Sequence, residues 1–96
     1  MLILVTYDVN TEGSCGKKRL RKVAKVCTNY GVRVQNSVFE CVVDSAELLI
    51  LKSELVDIID KEKDSLRFYN LGKNYNKKVE HIGAKDIKRA DDILIL

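Results

Sequence analysis

The sequence predicts an α+β domain in which two helices cover one face of an antiparallel sheet. Three observations support this prediction: an alternating apolar segment opens the chain, two later segments repeat apolar residues at helical spacing, and β-branched and aromatic residues fill the stretches between them. With 96 residues, 46% of them hydrophobic, the chain suits one compact domain over residues 1–96. Residues from about 78 onward are predicted to form a C-terminal extension.

The first predicted strand covers residues 2–9. One face carries Ile3, Val5, Tyr7 and Val9, and the other carries Leu2, Leu4, Thr6 and Asp8. Successive side chains of a strand point to opposite faces, so Asp8 is expected to face away from Tyr7.

The first helix is expected from about residue 17 to residue 30. The loop "NTEGSCG" has turn chemistry, and after it apolar residues recur at helical spacing, at Leu20, Val23, Ala24, Cys27 and Tyr30. Gly31 is the predicted C-cap.

The rest of the chain predicts a hairpin, a second helix and further strands. "VRVQNSVFECVV" is too long for one strand, so a turn is expected at Gln35, Asn36 and Ser37. Asp44 or Ser45 can cap the second helix, with Glu47 completing a capping box. Its apolar stripe consists of Leu48, Leu51, Leu55 and Ile58. "SLRFYNL" predicts a fourth strand, "KVEHIGA" a short fifth, and "ILIL" an apolar extension.

The order βαββαβ with a short C-terminal strand extension matches the ferredoxin-like arrangement. Its helices lie on one face of the sheet, which leaves Leu2 and Leu4 facing water on the other. A face-to-face homodimer would bury that second face.

Asp8 would then lie on the dimer side of the sheet, where symmetry could bring two carboxylates together. Their repulsion, about 4 kcal/mol at 4 Å and an effective dielectric near 20, would be relieved by a shared proton or a divalent cation. Oxygen ligands favour Mg²⁺ over zinc, with Mn²⁺ as a substitute, and a metal-bound water could attack a phosphodiester. The alternative is a turn-forming acid that bonds nearby backbone amides.

The charge is unevenly distributed. Residues 17–33 contain seven Lys or Arg and no acid, whereas residues 44–64 are mainly acidic. The predicted phosphate contacts on the first helix are Lys17, Lys18, Arg19, Arg21 and Lys22. The alternative is a solvated helix face. Arg33 could grip a phosphate or pair with Glu40 across the hairpin.

Other site chemistries are less well supported. His81 is the sole histidine, far along the chain from Asp8, which disfavours a Ser-His-Asp arrangement around Ser37. Cys15, Cys27 and Cys41 lack zinc spacing and are expected to be free thiols. With no leader pattern and no apolar run of membrane length, the protein is predicted to be cytoplasmic and without membrane contact.

The segments "TYDV", "KRLRKVAK" and "YGVRVQNSVFECVVD" together resemble the CRISPR-associated protein two family, the small partner of the CRISPR integrase. The resemblance implies a ferredoxin-like homodimer that binds integrase subunits and holds protospacer duplex DNA. It also implies a magnesium-dependent endonuclease acting on single-stranded RNA or double-stranded DNA, with Asp8 as catalytic metal ligand. The family's functional positions fall on Tyr7, Asp8, Arg33 and Phe39, with Arg19 and Arg21 as candidates on the helix.

Tyr7, Ser37 and Phe39 are the candidate site-lining residues. Core packing is the favoured alternative for Tyr7, a turn role is favoured for Ser37, and sheet packing is an equal alternative for Phe39. Two other functions stay open: a purely structural nucleic-acid-binding adaptor, and a toxin-like small RNase.

Overall fold

The computed structural model of the protein describes residues 1–83. Its elements are β1 (Leu2–Asp8), α1 (Ser14–Thr28), β2 (Gly31–Gln35), β3 (Val38–Val42), α2 (Ser45–Ile58) and β4 (Ser65–Gly72). The predicted βαββαβ order is confirmed.

The four strands form one antiparallel sheet in the spatial order β2-β3-β1-β4. β1 is central, and its Val5 lies opposite Phe39 of β3 and Phe68 of β4. Each helix therefore connects two strands that are separated by a third, which is the ferredoxin-like arrangement.

The core lies between the sheet and the helices. Ile3, Val5, Tyr7 and Val9 of the opening segment are buried together with Val23 and Cys27 of α1 and Leu51 and Leu55 of α2. On the opposite side of the sheet, which we call the second face, Leu4 and Thr6 are half-buried and Asp8 is exposed. The predicted alternation along β1 is confirmed.

Leu2 departs from this prediction, since it was expected to meet water and is only 1% exposed. It is paired on both sides, with Val42 of β3 and Gly72 of β4, at the point where the register of β1 with β4 shifts. Its burial follows from this central position, which the alternation of one strand could not reveal.

Helix α1 begins three residues earlier and ends two residues earlier than predicted, because two glycines were misread. Gly16 lies inside the first turn, where a Cβ atom would collide with the backbone of Asn10 and Thr11. Gly31 is not the C-cap, which is Asn29. Gly31 instead opens β2, where a Cβ atom would collide with the Glu40 carbonyl and with Cys41.

The predictions for the hairpin and for α2 are confirmed. Asn36 and Ser37 form the turn between β2 and β3. Asp44 accepts a hydrogen bond from the Glu47 backbone N–H at 2.7 Å, and Glu47 accepts one from the Asp44 N–H at 3.1 Å. This reciprocal capping box fixes the start of α2. Away from the core, α2 exposes Leu49, Ile50 and Val56.

After β4, residues 78–83 contain no strand, so the predicted fifth strand is not found in that part of its range. Ala84 and the "ILIL" segment lie outside the described residues. Neither helix of residues 1–83 is long and apolar enough to cross a membrane.

The three cysteines are free, with Cys27 and Cys41 buried and Cys15 exposed. Burial raises the pKa of Cys27 to about 11 and that of Cys41 to about 12. Both thiols are therefore protonated at neutral pH and serve as small core residues.

Candidate nucleic-acid and metal site

Asp8 is the last residue of β1 and points from the second face into solvent. It lies opposite Ser65, the first residue of β4, and Thr6 lies opposite Arg67. Together with Tyr7, these residues line a small cleft of about 180 Å³. The cleft therefore combines one carboxylate with a guanidinium and two hydroxyl groups.

Arg67 shares this cleft without being paired to Asp8. Its Nη1 donates a hydrogen bond to the hydroxyl of Tyr69 at 3.1 Å, and within residues 1–83 no carboxylate lies in ion-pair distance of it. Sequence reasoning missed Arg67 and Ser65, because the β1–β4 register that brings them beside Asp8 leaves no local signal.

Tyr7 points to the helix side, as the alternation predicted. It is buried, its ring stacks on that of Phe39 with 6.2 Å between the centroids, and its hydroxyl donates to the Asn36 carbonyl at 3.3 Å. Burial raises the pKa of Tyr7, and nearby Arg33 partly offsets this effect. The Tyr7 ring thus packs in the core, while the residue is also among those that line the Asp8 cleft.

Ser37 lies in the β2–β3 turn, and its carbonyl accepts a hydrogen bond from the Tyr7 N–H at 3.1 Å. This bond extends the pairing of β1 with β3 towards the end of the strand that carries Asp8. It is made by the backbone, which agrees with the turn role considered for this residue.

Arg33 lies on the helix side of β2 and covers the ring of Phe39, with 5.2 Å from Cζ to the ring centroid. The alternative pairing with Glu40 is wrong, because Arg33 is opposite Phe39 while Glu40 is opposite Val32. Adjacent register positions point to opposite faces. Arg33 and Asp8 therefore lie on opposite faces of the sheet.

A shallow groove of about 570 Å³ runs between α1 and β2, lined in part by Arg21, Lys25 and Arg33. Four of the predicted phosphate-binding residues are exposed on α1: Lys17, Lys18, Arg21 and Lys22. The described part of the chain thus has a basic surface formed by α1 and β2, separate from the carboxylate cleft.

Arg19 differs from its neighbours on α1. Its Nε donates to Oδ2 of Asp64 at 2.8 Å, and the side chain of Asp64 is fully buried. The Asp64 carboxylate also accepts the backbone N–H groups of Asn10 and Asp60, both at 2.9 Å. Desolvation acts to raise the pKa of Asp64, but the hydrogen bonds from Arg19 and the two amides outweigh it, so the pKa lies below its ordinary value.

We expect this carboxylate to make stability depend on acidic pH. Because the pKa of Asp64 is lower in the folded than in the unfolded state, its contribution is complete above the ordinary value of 3.8 and is lost as pH falls through the folded-state pKa. Asp64→Asn should lower the free energy of unfolding at pH 7 by about 2 kcal/mol and flatten its decline below pH 4. Urea unfolding midpoints at pH 7 and pH 3 measure both effects, with exposed Glu62→Gln as the control; an unchanged acid decline in Asp64→Asn would contradict this assignment.

The donor set of the Asp8 cleft fits a hard cation only in part. Oxygen atoms of Asp8, Ser65 and Thr6 are the ligand type that Mg²⁺ prefers. Within residues 1–83, however, no three His, Cys, Asp or Glu side chains lie together as a metal cluster. One chain therefore offers one carboxylate, the minimum for an ion that keeps several waters.

The fold and these surfaces define a small ferredoxin-like protein with an exposed carboxylate at a strand end and a basic helix. Residues 1–79 match the family model of the CRISPR-associated protein Cas2, and the chain belongs to this family. It is 65% identical over 95 residues to a CRISPR-associated endonuclease Cas2 of Halalkalibacterium halodurans, with 99% of each chain covered.

Two further comparisons agree. The chain is 56% identical over 96 residues to a CRISPR-associated endoribonuclease Cas2 of Chlorobaculum tepidum, with 100% of both chains covered. Its structure resembles the crystal structure of Streptococcus pyogenes Cas2 at pH 6.5, with a TM-score of 0.77 and 60% identity, over 86% of this chain and 100% of that one. The resemblance predicted from the sequence is confirmed, and the nuclease prediction agrees with the names of these relatives.

Proposed function

We propose that the protein is a CRISPR adaptation protein that acts as a homodimer. It bridges CRISPR integrase subunits, holds protospacer DNA during spacer acquisition, and cleaves phosphodiester bonds in single-stranded RNA or double-stranded DNA with Mg²⁺. The observation that carries the catalytic part is the exposed Asp8 carboxylate on the second face, where a symmetric partner could bring a second Asp8 beside it.

The residues of the cleft have distinct tasks in this proposal. Asp8 from each chain would hold the ion, with Mn²⁺ as a substitute for Mg²⁺, and Arg67 would supply positive charge for a phosphate oxygen. The ion, when bound, lowers the pKa of a water and polarises the phosphoryl oxygen. Among the described residues that line the cleft there is no histidine and no second acid, so slow chemistry is expected.

The experiment compares the wild type with Asp8→Asn on RNA and on duplex DNA, each with Mg²⁺ and with a chelator. Removing the metal-ligating carboxylates of both chains should reduce cleavage on the order of 100-fold or more, with fold and dimer unchanged. Chelator-sensitive cleavage by the wild type alone supports the proposal. Equal cleavage by both proteins would contradict it, because the activity would then not depend on Asp8.

The adaptor part of the proposal rests on the basic helix. Lys17, Lys18, Arg21 and Lys22 are exposed on one element, and none of them is held in an ion pair by residues 1–83. Cations on such a helix contact the phosphate backbone and do not recognise the base sequence.

The second helix offers a surface for the protein partner. Three apolar residues of α2 are exposed, Leu49, Ile50 and Val56, and exposed apolar patches are typical of protein interfaces. We propose that the integrase binds there.

We expect duplex binding to weaken with salt in proportion to the number of phosphates that these cations neutralise. Replacing Lys18 and Arg21 with Ala should flatten the plot of log affinity against log salt by about 0.9 for each phosphate that is no longer neutralised. Fluorescence anisotropy at several salt concentrations measures the slope. Lys61→Ala with Lys63→Ala, equal in charge but in the acidic loop before β4, is the control; an equal change in both double variants would refute a localised surface.

A purely structural adaptor is the second candidate, and the lack of an acid-base partner among the described cleft residues favours it. Spacer acquisition that survives Asp8→Asn would support this candidate. A cytoplasmic location belongs to the same proposal and rests on the three free thiols.

A further inference from the structure

Asp64 is a buried carboxylate held by several hydrogen bonds. Its side chain is 0% exposed, and its two oxygens accept four hydrogen bonds. The donors are the Asn10 N–H at 2.9 Å, the Asp60 N–H at 2.9 Å, Arg19 Nε at 2.8 Å and Arg19 Nη2 at 3.4 Å. A buried charge is stable only when its lone pairs are satisfied in this way.

The position of this carboxylate relates it to Asp8. Asn10 follows Asp8 by two residues, and Ser65, which pairs with Asp8 across β1 and β4, directly follows Asp64. Asp64 therefore ties the exit of β1 to the entry of β4, and these are the two strand ends that form the Asp8 cleft.

Arg19 completes the connection from α1. Besides its bonds to Asp64, its Nη2 donates to the Asn10 carbonyl at 3.3 Å. One guanidinium thus holds both the carboxylate and the backbone of the loop that follows Asp8. Three chain segments, from β1, α1 and β4, meet at this pair.

The ion pair also limits what Arg19 can do elsewhere. To bind a phosphate it would have to leave Asp64, and breaking a buried pair leaves an uncompensated charge. The neighbouring Lys18 and Arg21 are exposed and carry no such cost. The guanidinium of Arg19 is therefore paired with a buried carboxylate and is not available for a phosphate.

We propose that Asp64 and Arg19 are positioning residues for Asp8, which together hold the end of β1 against the start of β4 so that the Asp8 carboxylate is fixed for metal binding. This inference rests on the proposed function of Asp8. It removes Arg19 from the phosphate-binding residues and adds Asp64, 56 positions along the chain from Asp8, to the site.

The test uses Asp64→Asn and Arg19→Lys in the full-length protein, with Glu62→Gln as the charge-matched control in the same loop. Mn²⁺ is titrated against the isotope-labelled protein, and the paramagnetic broadening of the Asp8 and Ser65 amide signals reports metal binding at the cleft. We expect the apparent Mn²⁺ affinity to fall about tenfold or more in Asp64→Asn, less in Arg19→Lys, and not at all in Glu62→Gln.

Cleavage kinetics and duplex binding give the second readout. The kcat of Asp64→Asn should fall about tenfold or more, while KM and duplex affinity in chelator stay unchanged. The measurements are made at a temperature at which all variants are folded. If Asp64 only stabilised the fold, kcat would not fall while KM and duplex affinity stayed the same. Arg19→Lys should retain part of the kcat that Asp64→Asn loses.

Several results would overturn the inference. Mn²⁺ affinity and kcat of Asp64→Asn equal to the wild type would do so. Tighter duplex binding in Asp64→Asn with a steeper salt slope would also do so, because Arg19, released from Asp64, would then be a phosphate-binding residue. Absence of Mn²⁺ broadening at Asp8 in the wild type would overturn it together with the metal site. If the wild type binds Mn²⁺ at Asp8 and Asp64→Asn weakens that binding, but no variant cleaves, the positioning role stands and the nuclease proposal fails.

Discussion

A mixed dimer of one wild-type and one Asp8→Asn chain is expected to lose cleavage almost as completely as the Asp8→Asn homodimer, on the order of 100-fold. The reason is that the dimer has one proposed site, which takes a carboxylate from each chain, and residues 1–83 of one chain provide no cluster of metal ligands. Two differently tagged chains, coexpressed and purified through both tags, give the mixed dimer for a single-turnover assay.

The same experiment tests the alternative, in which each chain has its own complete site. If each chain carried its own complete site, the mixed dimer would keep about half of the wild-type rate, because one site would remain intact. The doubly tagged wild-type dimer is the matched control. A half rate would contradict the shared site and leave Asp8 with an intrachain role.

Local patterns in the sequence were sufficient for most of the elements. The capping relation of Asp44 and Glu47 lies within one helical turn, and the alternation from Ile3 to Tyr7 within one strand, so both could be read without tertiary information. The roles of the two glycines at the borders of α1 could not be predicted in this way. Their need for a bare Cα comes from the close approach of Asn10 and Glu40 in other segments, which no local pattern encodes.

For the candidate site too, some features follow from local sequence and others depend on the tertiary structure. The direction of Asp8 away from Tyr7 follows from alternation and was predicted, but the face on which Arg33 lies depends on the β2–β3 register. The basic run on α1 predicted five equivalent cations. Only the tertiary structure shows that Arg19 differs from the others, since its partner Asp64 is 45 residues away.

Phe39→Ala is expected to be the most destabilising single substitution considered, at roughly 4 kcal/mol. Phe39 is almost fully buried, opposite Val5 in the sheet, and its ring packs against both Tyr7 and Arg33. Truncation leaves a cavity in the centre of the core and removes the support of the Arg33 guanidinium. The melting temperature should fall on the order of 20 °C, which calorimetry measures.

Phe39→Leu separates the packing role of this residue from a role at the site, because it keeps most of the apolar volume without the aromatic ring. We expect it to cost about 1 kcal/mol, since the stacking on Tyr7 is lost. Duplex binding should weaken about two- to fivefold, because the cation–π interaction with Arg33 is also removed. Cleavage should persist, because Phe39 and Asp8 lie on opposite faces of the sheet. A stable Phe39→Leu protein that binds duplex but does not cleave would contradict this separation, and would place the aromatic ring of Phe39 in the catalytic site.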